Sequence, residues 1–123
     1  MRIPARILIV DDNAANVDIL RTRLAAHSYE IITAADGEEA LASAREHLPD
    51  LILMDIQLPG LDGYEATRRI KANPELKQTP IIAVTSYALS GDDKKAFAAG
   101  CDGYVTKPFS PKMLLAKIRE YLP

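Results

Sequence analysis

Leu51-Ile52-Leu53-Met54-Asp55 is the stretch whose reading decides the fold. Four apolar residues run without a break into one carboxylate. A short apolar run bounded by turn residues reads as a strand buried on both faces. Pro49-Asp50 stands before it, and Pro59-Gly60 with Asp62-Gly63 after it, so both bounds carry turn chemistry. Asp55 is thereby placed at the carboxyl end of a central strand. In open α/β sheets that edge is where ligands bind. A lone aspartate there reads better as a turn or cap residue, and the rest of the chain changes that reading.

Working outward, three more segments end in the same way. Arg6-Ile7-Leu8-Ile9-Val10 runs into Asp11-Asp12, Pro80-Ile81-Ile82-Ala83-Val84 into Thr85, and Gly103-Tyr104-Val105-Thr106 into Lys107-Pro108. A shorter strand is expected over Tyr29 to Ala34. Between the strands the spacing is helical: Val17, Leu20 and Leu24; Ala40, Leu41, Ala44 and Leu48; and Leu114, Ile118 and Leu122. Asp36 with Glu39 forms a capping pair, Ser90 with Asp93 opens a fourth helix, and Ser110 caps a last helix with Pro111 at its first position. A third helix spans about Gly63 to Ala72, stopped by Asn73-Pro74, and Gly100 stops the fourth. Strand and helix alternate five times. That pattern predicts a doubly wound α/β fold, a parallel five-stranded sheet with helices on both faces and right-handed crossovers.

The chain has 123 residues, one domain's worth, and 48% of them are hydrophobic, enough for a full core. A formal net charge of -2 argues against nucleic acid as a partner. A single cysteine, Cys101, forms no internal disulfide and fits a reducing compartment. No apolar run approaches the roughly 18 residues of a membrane span, and no signal-peptide pattern precedes the first strand. One soluble cytoplasmic domain over residues 1–123, with no membrane partner, is the expectation.

If the strands are parallel, Asp11, Asp12, Asp55, Thr85 and Lys107 share one edge of the sheet. Three converging carboxylates repel one another, and a divalent cation offsets that. Hard oxygen donors suit magnesium, which takes one or two carboxylates and keeps waters. Lys107 adds a compact positive charge and Thr85 a hydroxyl. Carboxylate, metal, ammonium and hydroxyl are the parts that take up a phosphoryl group, whose transfer depends on positioning and charge neutralisation.

At these residues the sequence resembles the receiver domains of two-component response regulators. The resemblance covers essentially the whole chain. It rests on Ile7-Leu8-Ile9-Val10-Asp11-Asp12, on Met54 to Gly63, on Ala83-Val84-Thr85-Ser86 and on Tyr104-Val105-Thr106-Lys107-Pro108-Phe109. In this order and spacing the set is specific; each piece alone is weak. The resemblance implies a flavodoxin-like fold with strand order 2-1-3-4-5 and an aspartyl-phosphate switch charged by a histidine kinase or histidine phosphotransferase. It makes Asp55 the phosphoacceptor, Asp12 and Asp11 metal residues with Asp55, and Gln57 a metal ligand through its carbonyl. It makes Thr85 the switch hydroxyl, Lys107 the phosphate-pairing lysine and Tyr104 the switch aromatic. Gln57 and Tyr87 are implied to modulate dephosphorylation, Lys107-Pro108 to be cis, and a helix 4–strand 5–helix 5 face with Lys94, Lys95 and Lys112 to bind a downstream protein target. In Met54-Asp55-Ile56-Gln57-Leu58-Pro59 and Ser90-Gly91-Asp92-Asp93-Lys94-Lys95 the chain also looks like the stand-alone, DivK-like receivers of phosphorelays. Receivers within hybrid histidine kinases share the same segments and form the alternative.

Two other function classes fit the fold. An aspartate-nucleophile phosphohydrolase usually carries an acidic residue two positions after its nucleophile, where this chain has Gln57. A flavin-mononucleotide carrier needs a hydroxyl- and glycine-rich loop after the first strand, where this chain has Asp11-Asp12-Asn13. A non-enzymatic switch, with only self-catalysed transfer and loss of phosphate, is therefore favoured. Elsewhere the plain readings win. His27 and His47 read as exposed helix ends, Cys101 as a buried filler, Tyr64 as packing, Asp62-Gly63 as cap chemistry, and Arg68-Arg69 and Lys94-Lys95 as solvated helix faces.

Overall fold

The computed structural model describes residues 4–58, 60–85, 92–107 and 110–122, with residues 92 and 93 described by backbone alone. Five strands alternate with five helices: β1 (Arg6–Val10), α1 (Ala14–Ala25), β2 (Glu30–Ala34), α2 (Gly37–His47), β3 (Leu51–Asp55), α3 (Gly63–Ala72), β4 (Ile81–Thr85), α4 (Asp92–Ala99), β5 (Gly103–Thr106) and α5 (Pro111–Arg119). All pairings are parallel and the order is β2-β1-β3-β4-β5. The expected fold class holds.

The strand sequences explain the layers, because side chains alternate between faces with period two. Ile7, Ile9, Leu51, Leu53 and Ile82 pack against Leu20 and Leu24 of α1 and Leu114 and Ile118 of α5. Leu8, Val10, Ile52, Met54, Ile81 and Ala83 pack against Ala40 and Ala44 of α2, Ala66 and Ile70 of α3 and Ala96 of α4. β3 is buried along its whole length, the property read from its unbroken apolar run. Burying each such aliphatic side chain contributes about 1.5–3 kcal/mol.

The caps are largely those expected. The Asp36 carboxylate accepts the Glu39 N–H at 2.8 Å, and the Glu39 carboxylate accepts the Ala35 N–H at 3.3 Å, closing the box at the start of α2. Ser110 Oγ accepts the Met113 N–H at 3.1 Å, with Pro111 first in α5. Asp62 caps α3 through the Glu65 N–H at 2.9 Å. Gly100 takes φ +112°, a backbone only glycine adopts without strain, where α4 ends. Ser90, expected to open α4, lies outside the described residues.

Three expectations need correction. Tyr29 precedes β2 rather than opening it, packing half-buried against the α1 and α5 side. Leu48 continues the helical spacing of α2 but leaves the helix in a left-handed cap at φ 46° and is exposed, because the chain must turn there into Pro49-Asp50. His47 is half-buried, and its carbonyl accepts the Arg6 guanidinium at 2.6 Å. His27 is exposed as expected. Among the described residues no helix is long and apolar enough to cross a membrane.

Candidate functional site

The parallel order puts the carboxyl ends of β1, β3, β4 and β5 along one edge. Register then sets depth: Val10 pairs with Met54, Asp55 with Val84, and Thr85 with Thr106. Asp11, Asp55 and Lys107 consequently emerge next to one another. Lys107 Nζ lies 3.3 Å from Asp11 Oδ2 and 3.5 Å from Asp55 Oδ2, bridging the two carboxylates.

The other oxygen of each aspartate is tied to its own loop. Asp11 Oδ1 accepts the Asn13 N–H at 2.8 Å, and Asp55 Oδ1 accepts the Gln57 N–H at 2.9 Å. Both are Asx turns, in which a short carboxylate reaches the backbone two residues on. The turn fixes each carboxylate's rotation, leaving Oδ2 aimed at the ammonium. Asn13 continues the chain by capping α1, its Oδ1 accepting the Asn16 N–H at 3.0 Å. The sequence reading left α1 without a cap; an asparagine just before the first helical residue was the available signal.

Asp11 and Asp55 are each only 5% exposed, and Thr85 is 2% exposed, whereas Asp12 stands in solvent. Burial raises the Asp55 pKa above the ordinary 3.8. The Gln57 N–H and the Lys107 ammonium pull it down, but less than desolvation raises it, and Asp11 adds repulsion. A carboxylate of raised basicity is a better nucleophile than an exposed one. Thr85 ends β4 beside it, and its carbonyl accepts the Lys107 N–H at 2.6 Å, fastening β5's exit to β4.

Asp11, Asp12 and Asp55 each offer an oxygen within 4.8 Å of the others. An octahedral ion with bonds of about 2.1 Å spaces its ligand oxygens about 3.0–4.2 Å apart, so a small contraction closes the set around magnesium. Three carboxylates against one ammonium leave a formal excess of two negative charges, which a divalent cation balances. All three donors are hard oxygens. The residues fit the metal.

Gln57 is half-buried beside Asp55. Tyr104 sits two register positions back from the edge, opposite Ala83, half-buried against the α2–α4 side of the core. It is therefore near the site without lining it. Tyr87 and Pro108, and with Pro108 the expected cis bond, lie outside the described residues. Lys94, Lys95 and Lys112 are exposed, as expected for the α4–β5–α5 face. Phe97 of α4 and Met113 of α5 are also exposed, 50% and 66%; the sequence reading names neither. A cavity of about 480 Å³ opens beside Asp55 and Lys107 between α1 and α5, with Ile19, Leu20, Val84 and Pro111 in its wall. Ile19, also passed over, is 56% exposed there.

The family model for the response regulator receiver domain matches residues 7–119, nearly the whole chain. The chain belongs to the response regulator receiver domain family. A curated relative, the polar-differentiation response regulator DivK of Brucella anthropi, is 44% identical over 119 residues, covering 97% of either chain. The chemotaxis protein CheY4 of Vibrio cholerae superposes with a TM-score of 0.91 at 33% identity, over 96% of this chain and 98% of that one. The receiver domain of a sensor histidine kinase from Pseudomonas aeruginosa superposes at 0.88 with 39% identity, over 95% and 96% of the two chains. That structure holds a magnesium ion coordinated in its active-site cleft. This chain is thus a phosphorelay receiver domain related to DivK and CheY, a class that signals through phosphorylation.

Proposed function

We propose that Asp55 accepts a phosphoryl group from a phosphohistidine of a histidine kinase or histidine phosphotransferase. The observation that carries this is the juxtaposition of a buried carboxylate of raised basicity with Lys107 at 3.5 Å and two further aspartates at metal-ligand reach. In the step, an Asp55 oxygen forms a bond to phosphorus while the donor's N–P bond breaks, and the leaving imidazole takes up a proton. The Gln57 N–H holds the acceptor carboxylate in place. Lys107, already between Asp11 and Asp55, moves its charge onto the incoming equatorial oxygens. Asp11, Asp12 and Asp55, with the Gln57 carbonyl, would hold magnesium, which when bound would neutralise charge on the transferring group.

Gln57 offers no general acid two positions after Asp55, which favours a switch over a turnover phosphohydrolase. The same site chemistry serves a DivK-like regulator and a receiver within a histidine kinase. In the phosphorylated state the Thr85 hydroxyl is drawn toward the phosphoryl oxygens, because hydrogen bonds to charged acceptors are shorter and stronger than neutral ones. Tyr104 follows inward, and the α4–β5–α5 face changes shape toward a protein partner.

The test is incubation with magnesium and a small phosphodonor, followed by intact mass. Wild type gains one phosphoryl group and Asp55→Asn gains none. Equal labelling of the Asn variant would refute the assignment.

A further inference from the structure

We propose that Gly37, 18 residues before the phosphoacceptor, is a positioning residue for it: a spacer without a side chain that sets the distance between the two halves of the acidic site. The proposal rests on the function proposed above and adds a residue that touches neither metal nor phosphate.

The site is built from two separate pieces of chain. Asp11 and Asp12 follow β1, and the Asp11 N–H donates to the Ala34 carbonyl at 3.0 Å. Ala34 leads through Asp36 into α2, whose first residue is Gly37, and the cap at Asp36 and Glu39 fixes that start. Asp55 belongs to the second piece, with Ile56 and the residues 60–62 that lead into α3. The two pieces meet where Gly37 lies against Leu61. A Cβ on Gly37 would run into the Leu61 carbonyl oxygen and stand 3.0 Å from both Leu61 Cβ and Cγ. The obstacle is backbone, so no rotamer change relieves it.

Leu61 passes that contact on. Two residues later Gly63 opens α3, its N–H donating to the Ile56 carbonyl at 3.1 Å. A Cβ on Gly63 would strike the Asp55 carbonyl oxygen and stand 2.7 Å from Ile56 Cα. The start of α3 therefore rests directly on the backbone of the phosphoacceptor. Both helices open with the same pattern, Asp36-Gly37-Glu38-Glu39 and Asp62-Gly63-Tyr64-Glu65, with the aspartate carboxylate accepting the N–H of the glutamate three residues on. The cap explains Asp and Glu. Contact with the acceptor loop, from one side by Gly37 and from the other by Gly63, explains why each second residue is glycine. Adding a methyl at Gly37 must push Leu61 outward, and with it the loop that holds Asp55, away from Asp11 and Asp12. The three ligand oxygens already lie up to 4.8 Å apart, so further separation works against the metal.

The experiment compares wild type, Gly37→Ala and Leu24→Ala. Leu24 is buried on the opposite face of the sheet and reports what lost stability alone does. Three quantities are read on folded protein: magnesium affinity by calorimetric titration, the Gln57 amide resonance without metal, and the initial rate of phosphorylation by a small phosphodonor. Gly37→Ala is expected to weaken magnesium at least about fivefold, to move the Gln57 resonance and to slow phosphorylation at least about tenfold, since misplacement of about 1 Å costs up to about 100-fold. Leu24→Ala should melt lower yet keep all three per folded molecule. Native magnesium affinity and rate in Gly37→Ala, or equal losses in Leu24→Ala, would overturn the proposal. If Gly37→Ala does not fold, Leu61→Gly, which keeps the Leu61 carbonyl and both glycines but removes the side chain packed on Gly37, decides by the same readouts: weaker magnesium binding and slower phosphorylation are expected, and native values overturn the proposal. A wild type that is never phosphorylated would overturn the acceptor assignment instead, and the metal affinity and Gln57 resonance would still decide the role of Gly37.

Discussion

Asp55→Asn should make the metal-free protein more stable at neutral pH, although it removes an ion pair. At an effective dielectric of about 20, losing the 3.5 Å contact with Lys107 forfeits about 5 kcal/mol of attraction. Relief from Asp11, whose oxygen lies within 4.8 Å, returns at least about 3.5 kcal/mol, and relief from solvent-exposed Asp12 about 1 kcal/mol. These charge–charge contributions nearly cancel. What remains is the cost of holding a charge at 5% exposure, the largest influence on Asp55, at about 1–3 kcal/mol. The amide oxygen of Asn keeps the Gln57 hydrogen bond, so little is lost locally. For a chain of 123 residues the gain corresponds to a rise of at least about 3 °C in Tm. The pH dependence has a definite sign. Because the folded-state pKa of Asp55 is raised, the folded wild type binds its proton more tightly than the unfolded chain. The advantage of the Asn variant is therefore full above that raised pKa and fades as pH falls through it toward the ordinary 3.8. Thermal melts in a chelator from pH 4 to pH 8 test both. A variant that melts at or below wild type at pH 7.5, or a gap that widens as pH falls, would refute the reasoning.

Further outcomes follow from the same geometry. Asp12→Ala should reduce the magnesium-dependent rise in Tm while leaving the metal-free melt equal or higher; an unchanged magnesium response would show that Asp12 is no ligand. Thr85→Ala should keep phosphorylation yet lose most of the phosphate-dependent gain in affinity for a partner of the α4–β5–α5 face, measured by titration with a phosphoryl mimic. Full retention of that gain would place the coupling elsewhere. Lys71, at the opposite edge of the sheet, donates to the Thr79 carbonyl at 2.6 Å and pairs with Asp102 at 2.9 Å, so Lys71→Met should cost about 1–3 kcal/mol in denaturant melts with the phosphorylation rate per folded molecule unchanged.

What the sequence determined by itself is what period and position encode locally. Apolar runs such as Leu51–Met54 mark buried strands, helical spacing marks the helices between them, and the rule for strand–helix–strand units turns that order into a parallel sheet. Once the strands are parallel, Asp11, Asp55, Thr85 and Lys107 must share an edge, so the candidate site was legible before any coordinate. Tertiary structure decided what depends on neighbours distant in sequence. Strand register and the two Asx turns aim Asp11 and Asp55 at one ammonium, 96 residues along the chain from Asp11. Ile19, Phe97 and Met113 are apolar yet stay at the surface, and Ile19 and Met113 already fall off the apolar stripes of their helices. Leu48 keeps the spacing of its helix yet sits outside it, because the turn into β3 overrides periodicity. Gly63 reads as cap chemistry and Gly37 carries no reading until Asp55 and Leu61 are found against them. A missing side chain leaves no pattern along the chain; its meaning lies in the backbone that occupies its place.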